Sequence, residues 1–180
     1  MAAGKHALVA MVADRPGVLN RIASLFRRRG FNIDSIAVGH SETAGVSRVT
    51  IMVNGSTAQV EQVRKQLEKL IDIIKVLDVT GETTIIRELA LIKVKTTFSN
   101  RSEVMQIVGI FRANIVDVSA DSVTVEVTGD ADKINSLYRL LKGFGIMEIA
   151  RTGVIAMTRG GNGSVNNNDK VTDTQVKGKK

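Results

Sequence analysis

The order of hydrophobic patterns along this 180-residue chain occurs twice, and this repeat limits the fold more than any other feature. Runs that alternate or are continuously apolar predict strands, and apolar residues spaced three and four apart predict helices. Each half of the chain has the order strand, helix, strand, strand, helix, strand. This order predicts an α+β protein made of two ferredoxin-like βαββαβ domains in tandem.

The first half supplies the clearest boundaries. Its first helix is predicted over residues 15–29, with Gly30 ending it, and its second begins at the Ser56 and Gln59 capping-box pattern. The core positions of the two helices are Val18, Ile22, Leu25, Phe26, Val60, Val63, Leu67, Leu70 and Ile71. The strands of this half are predicted over residues 5–13, 31–39, 47–53 and 73–79.

The second half repeats the order without repeating the residues. Asp130 is predicted to cap its second helix, and its last strand is predicted over about 146–157, with Gly153 inside it. Its other elements are predicted as strands over 88–96, 114–119 and 122–128 and a helix over 101–113.

These patterns divide the chain into domains at residues 1–80 and 81–159. The linker from Thr80 to Thr84 is short, so the two halves should be packed neighbours. Residues 160–180 are rich in Gly and Asn and end in a basic cluster. We expect this tail to be disordered.

Composition excludes several classes of protein. The chain has no Cys, which removes disulfides and thiolate sites and fits a reducing compartment, such as bacterial cytoplasm or plastid stroma. No apolar run approaches the roughly 20 residues that span a bilayer, so we expect no membrane partner. The net charge is +7, but residues 158–180 hold five basic and two acidic residues, so the body is only mildly basic.

Catalytic and metal-binding patterns are missing from the sequence. His6 and His40 have no carboxylate or second histidine at a metal-ligand spacing, and no Gly-x-Ser-x-Gly pattern occurs. Glycine-rich phosphate patterns are absent as well. We therefore expect no catalytic residue, no metal and no cofactor on this chain, and a small hydrolase is the weakest interpretation.

The turn Asp14-Arg15-Pro16-Gly17 is the strongest candidate for a binding site. Pro16 suits the first turn of a helix, and Gly17 lets a ligand approach the backbone. Free amides at a helix N-terminus can hold the carboxylate of a small acid such as an amino acid. Asp14 could instead be only a helix cap, and residues 27–29, three arginines, could bind phosphate or only favour the helix dipole.

An RNA-binding module is the main alternative function. The same βαββαβ order serves RNA recognition, and the chain is basic. One Tyr, no Trp and five Phe provide few aromatic platforms for bases. We therefore expect no nucleic-acid partner.

With these residues identified, the chain resembles the small regulatory subunit of acetohydroxyacid synthase, also called acetolactate synthase, over roughly residues 5–159. The stretches that carry the resemblance are ADRPGVLNRIASLFRRRGFNIDSIAVG at 13–39, VSRVTIMV at 46–53, RELALIKV at 87–94 and RTGVIAMTRG at 151–160. The resemblance implies that the first domain is an ACT domain, which pairs with a second copy as a homodimer and senses an amino acid. It also implies that the chain binds the large catalytic subunit, activates it and confers feedback inhibition by valine in branched-chain amino acid biosynthesis.

The resemblance also implies a composite effector site between two copies. One copy contributes the turn and the first residues of the helix, and the other contributes the start of its second strand. The implied effector-binding residues are Asp14, Arg15, Pro16, Gly17, Val18 and Leu19 from one chain, with Asn32 and Ile33 from the other. In this interpretation, amides near Gly17 hold the carboxylate, Asn32 meets the ammonium or carboxylate, and Val18, Leu19 and Ile33 enclose an aliphatic side chain. Thiamine diphosphate, Mg²⁺ and FAD are implied for the catalytic subunit alone.

Overall fold

The computed structural model describes residues 4–80 and 84–160. The first unit is a four-stranded antiparallel sheet with strand order β2-β3-β1-β4, and two helices cover one of its faces. Its elements are β1 (Gly4–Ala13), α1 (Val18–Arg28), β2 (Ile33–His40), β3 (Val46–Gly55), α2 (Thr57–Leu67) and β4 (Ile73–Asp78). The order β2-β3-β1-β4 leaves β2 at one edge of this sheet.

The second unit repeats the arrangement with strand order β6-β7-β5-β8. Its elements are β5 (Thr84–Lys95), α3 (Arg101–Ile110), β6 (Asn114–Val118), β7 (Ser122–Gly129), α4 (Ala131–Leu141), a 3₁₀ turn (Lys142–Phe144), β8 (Ile146–Arg151) and β9 (Ile155–Thr158). The prediction of two βαββαβ units in an α+β protein is confirmed.

Helix α1 begins three residues later than predicted, at Val18. Gly17 has a φ of 88°, which is left-handed backbone, and the Arg15 amide donates to the Ala13 carbonyl oxygen at 2.9 Å, so the chain turns before the helix starts. The N-cap is Gly17, without a side-chain hydrogen bond. The possibility that Asp14 caps this helix is therefore wrong.

The other helix ends follow the sequence signals closely. Gly30 has a φ of 69° just after α1, and the Phe31 amide donates to the Phe26 carbonyl oxygen at 3.0 Å, as in a glycine-terminated helix. The capping box predicted at Ser56 and Gln59 is present, and Asp130 accepts a hydrogen bond from the Lys133 amide at 2.8 Å. These three predictions are confirmed.

Helix α2 is shorter than its apolar spacing indicated. It ends at Leu67, and turns carry the chain through residues 68–72 to β4. Leu70 still packs against the core from this turn, whereas Ile71 is 70% exposed. Placing Ile71 on the buried face was wrong because the helix had already ended.

The last predicted strand is two strands. Residues 152–154 interrupt it, with Gly153 at a φ of 79°. β8 continues the second sheet beside β5, whereas β9 pairs with the start of β5, from Thr84↔Thr158 to Arg87↔Ile155. We call this two-stranded ladder, residues 84–87 with 155–158, the β5–β9 arm. It explains why β5 begins four residues earlier than predicted.

The β5–β9 arm joins the two units. Ala156 is buried with Ala7 and Val9 on the face of the first sheet opposite the helices, and Ile86 packs against the same cluster. Each unit also has its own core between its sheet and its helices. The expectation that the halves are packed neighbours is confirmed by this third cluster.

Two further sequence predictions concern the C-terminal tail and the absence of a membrane-spanning segment. The predicted disordered tail lies outside the described residues, apart from Gly160. Among the residues that the structure describes, no helix is long and apolar enough to cross a membrane.

Candidate functional site

The turn between β1 and α1 is fixed by backbone hydrogen bonds. The Asp14 amide donates to the Gly45 carbonyl oxygen at 2.9 Å, which ties the turn to the start of β3. The Arg21 amide donates to the Gly17 carbonyl oxygen at 3.0 Å and closes the first turn of α1. Residues 14–17 are exposed, so this rigid turn is open to a ligand.

The turn presents backbone donors to solvent. Within residues 4–80 and 84–160, the amides of Gly17, Leu19 and Asn20 donate no hydrogen bond to another residue, and that of Val18 has only a long bond of 3.5 Å to the Arg15 carbonyl oxygen. These donors lie at the positive end of the helix dipole. The arrangement can bind a carboxylate without a catalytic side chain.

Arg21, in the first turn of α1, lies against the turn at Gly17. Its guanidinium forms an ion pair with Asp72, whose side chain is 7% exposed. The guanidinium also lies beside Gly17, where an added Cβ would be 3.4 Å from Arg21 Nη1. The ion pair therefore fixes Arg21 against the turn, a long-range contact that no sequence spacing indicated.

The Asp14 side chain, in the turn after β1, lies beside His40, the last residue of β2. Its Oδ2 is 3.6 Å from His40 Nδ1, and both side chains are at least half exposed. The Asp14 carboxylate is thus available to a cation, including the ammonium of an amino acid.

Asn32 and Ile33 lie at the opposite end of the same sheet. Ile33 pairs with Val53, whereas His40 at the other end of β2 pairs with Ser47. Seven residue steps along an extended strand separate these ends by about 23 Å. One chain therefore does not bring Asn32 to its own turn.

The three side chains predicted to enclose the ligand differ in how exposed they are. Val18 is 4% exposed and packs in the core of its own unit, so its side chain is not available to enclose a ligand. Leu19 is 46% exposed in the first turn of α1, and Ile33 is half-buried at the start of β2. The role predicted for the Val18 side chain is corrected, and Leu19 and Ile33 remain as apolar candidates.

Family comparisons bear on both units. Residues 8–75 match the ACT domain of the acetohydroxyacid synthase small subunit, and residues 87–160 match the small subunit of acetolactate synthase. The chain belongs to the acetolactate synthase small-subunit family. The region matched by the ACT model includes the turn at 14–17 and the start of β2.

Individual relatives extend this match over most of the chain. The probable acetolactate synthase small subunit of Methanothermobacter thermautotrophicus is 54% identical over 86% of this chain and 93% of its own length. The acetolactate synthase small subunit of Bacillus subtilis is 53% identical over 87% and 91%. The crystal structure of the Thermotoga maritima acetolactate synthase small subunit matches with a TM-score of 0.82 and 43% identity, over 88% of this chain and 99% of that chain.

Arg48 is a second residue whose role the sequence did not reveal. Its Nη2 donates to the Ala156 carbonyl oxygen at 2.8 Å and so holds β9 against the first sheet. Burial lowers the pKa of Arg48, and the nearby charge of Glu42 acts in the opposite direction. Arg48 therefore links the first sheet to β9 of the second unit.

Replacing Arg48 with alanine should destabilise the contact between the domains. We expect a loss of about 1–2 kcal/mol in the free energy of unfolding, because a half-buried charged hydrogen bond is removed and a carbonyl oxygen beside the third cluster loses its partner. Urea denaturation would measure the loss. Arg28→Ala, a change on the exposed face of α1, is the matched control and should change stability by less than about 0.5 kcal/mol. Equal effects of the two changes would contradict the role of Arg48.

Other chemistry receives little support from the described parts of the chain. Residues 4–80 and 84–160 contain no group of three or more His, Cys, Asp or Glu side chains that could hold a metal ion. None of the nine strands described there contains Phe, Tyr or Trp. The sheets thus offer no aromatic surface on which nucleic-acid bases could stack.

Proposed function

We propose that this chain is the non-catalytic regulatory subunit of acetolactate synthase in branched-chain amino acid biosynthesis. It binds the large catalytic subunit, raises its activity and confers feedback inhibition by valine. Membership of the small-subunit family supports the partner, and the open turn at residues 14–17 supports the amino-acid effector. The proposal assigns thiamine diphosphate, Mg²⁺ and FAD to the catalytic subunit and none of them to this chain.

The effector site that we propose is shared by two copies of the chain. β2 is an edge strand, and antiparallel pairing with β2 of a second copy extends the sheet. This pairing sets the start of one β2 beside the end of the other. Asn32 and Ile33 of the second copy then lie next to the first copy's turn, which their own chain cannot achieve.

The groups around this shared site suit an amino acid. Amides of Gly17, Leu19 and Asn20 can donate to the carboxylate, and Asp14 can accept from the ammonium. Arg15 and Pro16 shape the turn, and the Asn32 side chain can either donate or accept. Leu19 and Ile33 provide the apolar contacts that favour a branched aliphatic side chain.

A titration tests the proposed function. Purified chain is added to the large subunit, and acetolactate formation is measured with and without valine. We expect the rate to rise to a plateau as the chain saturates the large subunit, and we expect valine to lower that plateau. An unchanged rate under both conditions would reject the proposal.

A further inference from the structure

The helix layer of the first unit carries an excess of positive charge. Residues 18–29 and 57–69 hold seven basic and two acidic side chains, a net charge of +5. The rest of residues 4–80 holds four basic and five acidic side chains. The positive charge of this unit is therefore concentrated on the face that α1 and α2 form, and an uneven distribution of this kind bears on partners.

Helix α1 ends in three consecutive arginines. Its sequence, VLNRIASLFRR, contains no acidic residue, and Arg29 follows it as the C-cap. Arg27, Arg28 and Arg29 are exposed, and within residues 4–80 and 84–160 none of their guanidinium groups has an ion-pair or hydrogen-bond partner. Three charges at this end of α1 are thus available to another molecule.

A groove connects this end of α1 with the exposed side of α2. Its volume is about 550 Å³, and it is lined by Arg29, Gln62, Lys65, Gln66, Glu68 and Lys69. Five of these six side chains, all but Glu68, can donate hydrogen bonds. The groove therefore suits a ligand that supplies acceptors.

The acidic side chains beside the groove already have partners. Arg64 Nε lies 2.8 Å from Glu61 Oε2, and Arg64 Nη1 pairs with Glu68. The hydrogen bond from Arg64 lowers the pKa of Glu61 to about 2, so this carboxylate stays charged and paired. Lys65 Nζ lies 3.6 Å from the same carboxylate.

Two cations of the groove have no such partner. Arg29 comes from the end of α1 and Lys69 from the turn after α2, and both are exposed. Neither side chain has an ion pair or a hydrogen bond to any residue of 4–80 or 84–160. The groove thus keeps unneutralised positive charge from two different elements.

We propose that this cationic helix surface, residues 27–29, 62, 65, 66 and 69, docks an acidic surface of the large catalytic subunit. The guanidinium of Arg29 can bind a carboxylate through two parallel hydrogen bonds, and Lys69 can bind a second carboxylate as a point charge. Gln62 and Gln66 can donate to the same acidic side chains. Family membership supplies the partner, and the charge selects an acidic face of it.

The charge of the groove disfavours two other occupants. Residues 161–180 of the chain hold four basic and two acidic side chains, so the tail has the same sign of charge as the surface. Glu68 lines the groove, and it would repel the closely spaced phosphates of a nucleic acid. Separate carboxylates on a protein can lie beside Arg29 and Lys69 without meeting Glu68.

The cationic helix surface is separate from the turn at residues 14–17. The turn precedes α1, and the arginines end it, so the 11 residues of the helix set the two sites about 16 Å apart. Changes in the groove should therefore leave valine binding unaltered. This inference rests on the proposed function, since it names the surface through which the chain reaches its partner.

The test is a double charge reversal, Arg29→Glu with Lys69→Glu. The dissociation constant for the large subunit should rise at least about tenfold, because two attractive contacts become repulsive. Arg139→Glu with Lys142→Glu is the matched control, since it makes the same change of charge at exposed positions of α4 and its end. The control should alter the dissociation constant by less than about twofold.

Two further measurements separate charge from folding. Arg29→Lys with Lys69→Arg keeps both charges and should bind the large subunit within about threefold of the unaltered chain. Raising NaCl from 0.1 M to 1 M shortens the screening length from about 10 Å to about 3 Å. This change should weaken the unaltered chain more than the double-glutamate variant, and calorimetry should find the same valine affinity in both.

The outcomes distinguish this inference from the proposed function. If the double-glutamate variant binds and activates the large subunit as the unaltered chain does, the inference fails and the proposed function stands. Equal weakening by the control would also overturn the inference, because net charge alone would then set the affinity. If the unaltered chain does not bind the large subunit, both fail.

A gel-shift assay with RNA covers the remaining occupant. RNA binding by the unaltered chain at 0.15 M salt that is lost in the double-glutamate variant, with the affinity for the large subunit unchanged, would assign the surface to nucleic acid and overturn the inference. The proposal predicts no RNA binding at this salt concentration by either chain.

Discussion

Replacing Arg151 with alanine is expected to lower the free energy of unfolding by about 3 kcal/mol. Arg151 Nε donates to Glu88 Oε1 at 2.8 Å, and its Nη2 pairs with the other oxygen of the same carboxylate. Glu88 has a side chain that is only 6% exposed, so the change leaves a buried charge without its partner. Loss of one member of a buried pair costs about 3–5 kcal/mol, and the 36% exposure of Arg151 places this case at the lower end.

Arg151 contacts more of the second unit than Glu88 alone, so its replacement removes several interactions. Arg151 ends β8 and faces Ala90 of β5, and its Nη1 donates to Asn135 Oδ1 of α4 at 3.2 Å. The hydrogen bonds that Arg151 donates to the Glu88 carboxylate raise the pKa of Arg151, so the guanidinium stays charged at any working pH. The loop of residues 152–154 follows Arg151 directly.

Urea denaturation followed by circular dichroism measures this effect. Arg139→Ala is the matched control, because Arg139 lies on the exposed side of α4 and bonds only Ser136 Oγ, at 3.0 Å, among the residues described. Removing both charges with Glu88→Leu and Arg151→Leu should cost less than Arg151→Ala alone, since no buried charge remains. A loss for Arg151→Ala within about 0.5 kcal/mol of that for Arg139→Ala would contradict this account.

Replacing Gly17 with aspartate is expected to abolish valine inhibition while activation of the large subunit is kept. The new carboxylate would stand among the free amides that we assign to the valine carboxylate and would repel it. The side chain would also meet Arg21 Nη1 at 3.4 Å and would be strained at a φ of 88°. Hydrogen bonds to a charged group contribute about 1.5–3 kcal/mol each, so losing two should weaken valine binding at least about a hundredfold.

Valine calorimetry and inhibition curves with the large subunit measure this change. Gly160→Asp is the control for strain, because Gly160 has a φ of 73° and open space around it in the second unit. That variant should respond to valine as the unaltered chain does. Unchanged valine inhibition in Gly17→Asp would place the effector elsewhere.

Local signals in the sequence were sufficient for most of the fold. The apolar spacing of α1, the Gly30 stop and the Ser56 capping box depend on residues within one or two turns of each other, and the structure contains all three. The sequence also predicted the turn at Gly17, because Pro16 fixes its own φ and Gly17 can adopt a positive φ. The predicted start of α1 was three residues too early.

Long-range contacts were not visible in the sequence. Arg21 and Asp72 are 51 positions apart, and Arg48 and Ala156 are 108 apart, so no spacing rule connects either pair. Residues 146–157 look like one strand because every apolar residue in them suits a sheet. The left-handed backbone at Gly153 and the packing of Ala156 on the first sheet divide them into β8 and β9. The composite site came from family resemblance, since Asn32 and Gly17 lie at opposite ends of one chain's sheet.

A subunit-mixing experiment tests the shared effector site most directly. Gly17→Asp and Asn32→Ala are introduced into separate chains, which are co-expressed with different tags so that the heterodimer can be purified. If the site is shared, one of its two pockets has both changes and the other has none. Calorimetry should then find about one valine per heterodimer with unaltered affinity, although neither homodimeric variant binds valine. A heterodimer that binds no valine would show that each pocket lies within a single chain and would contradict the account.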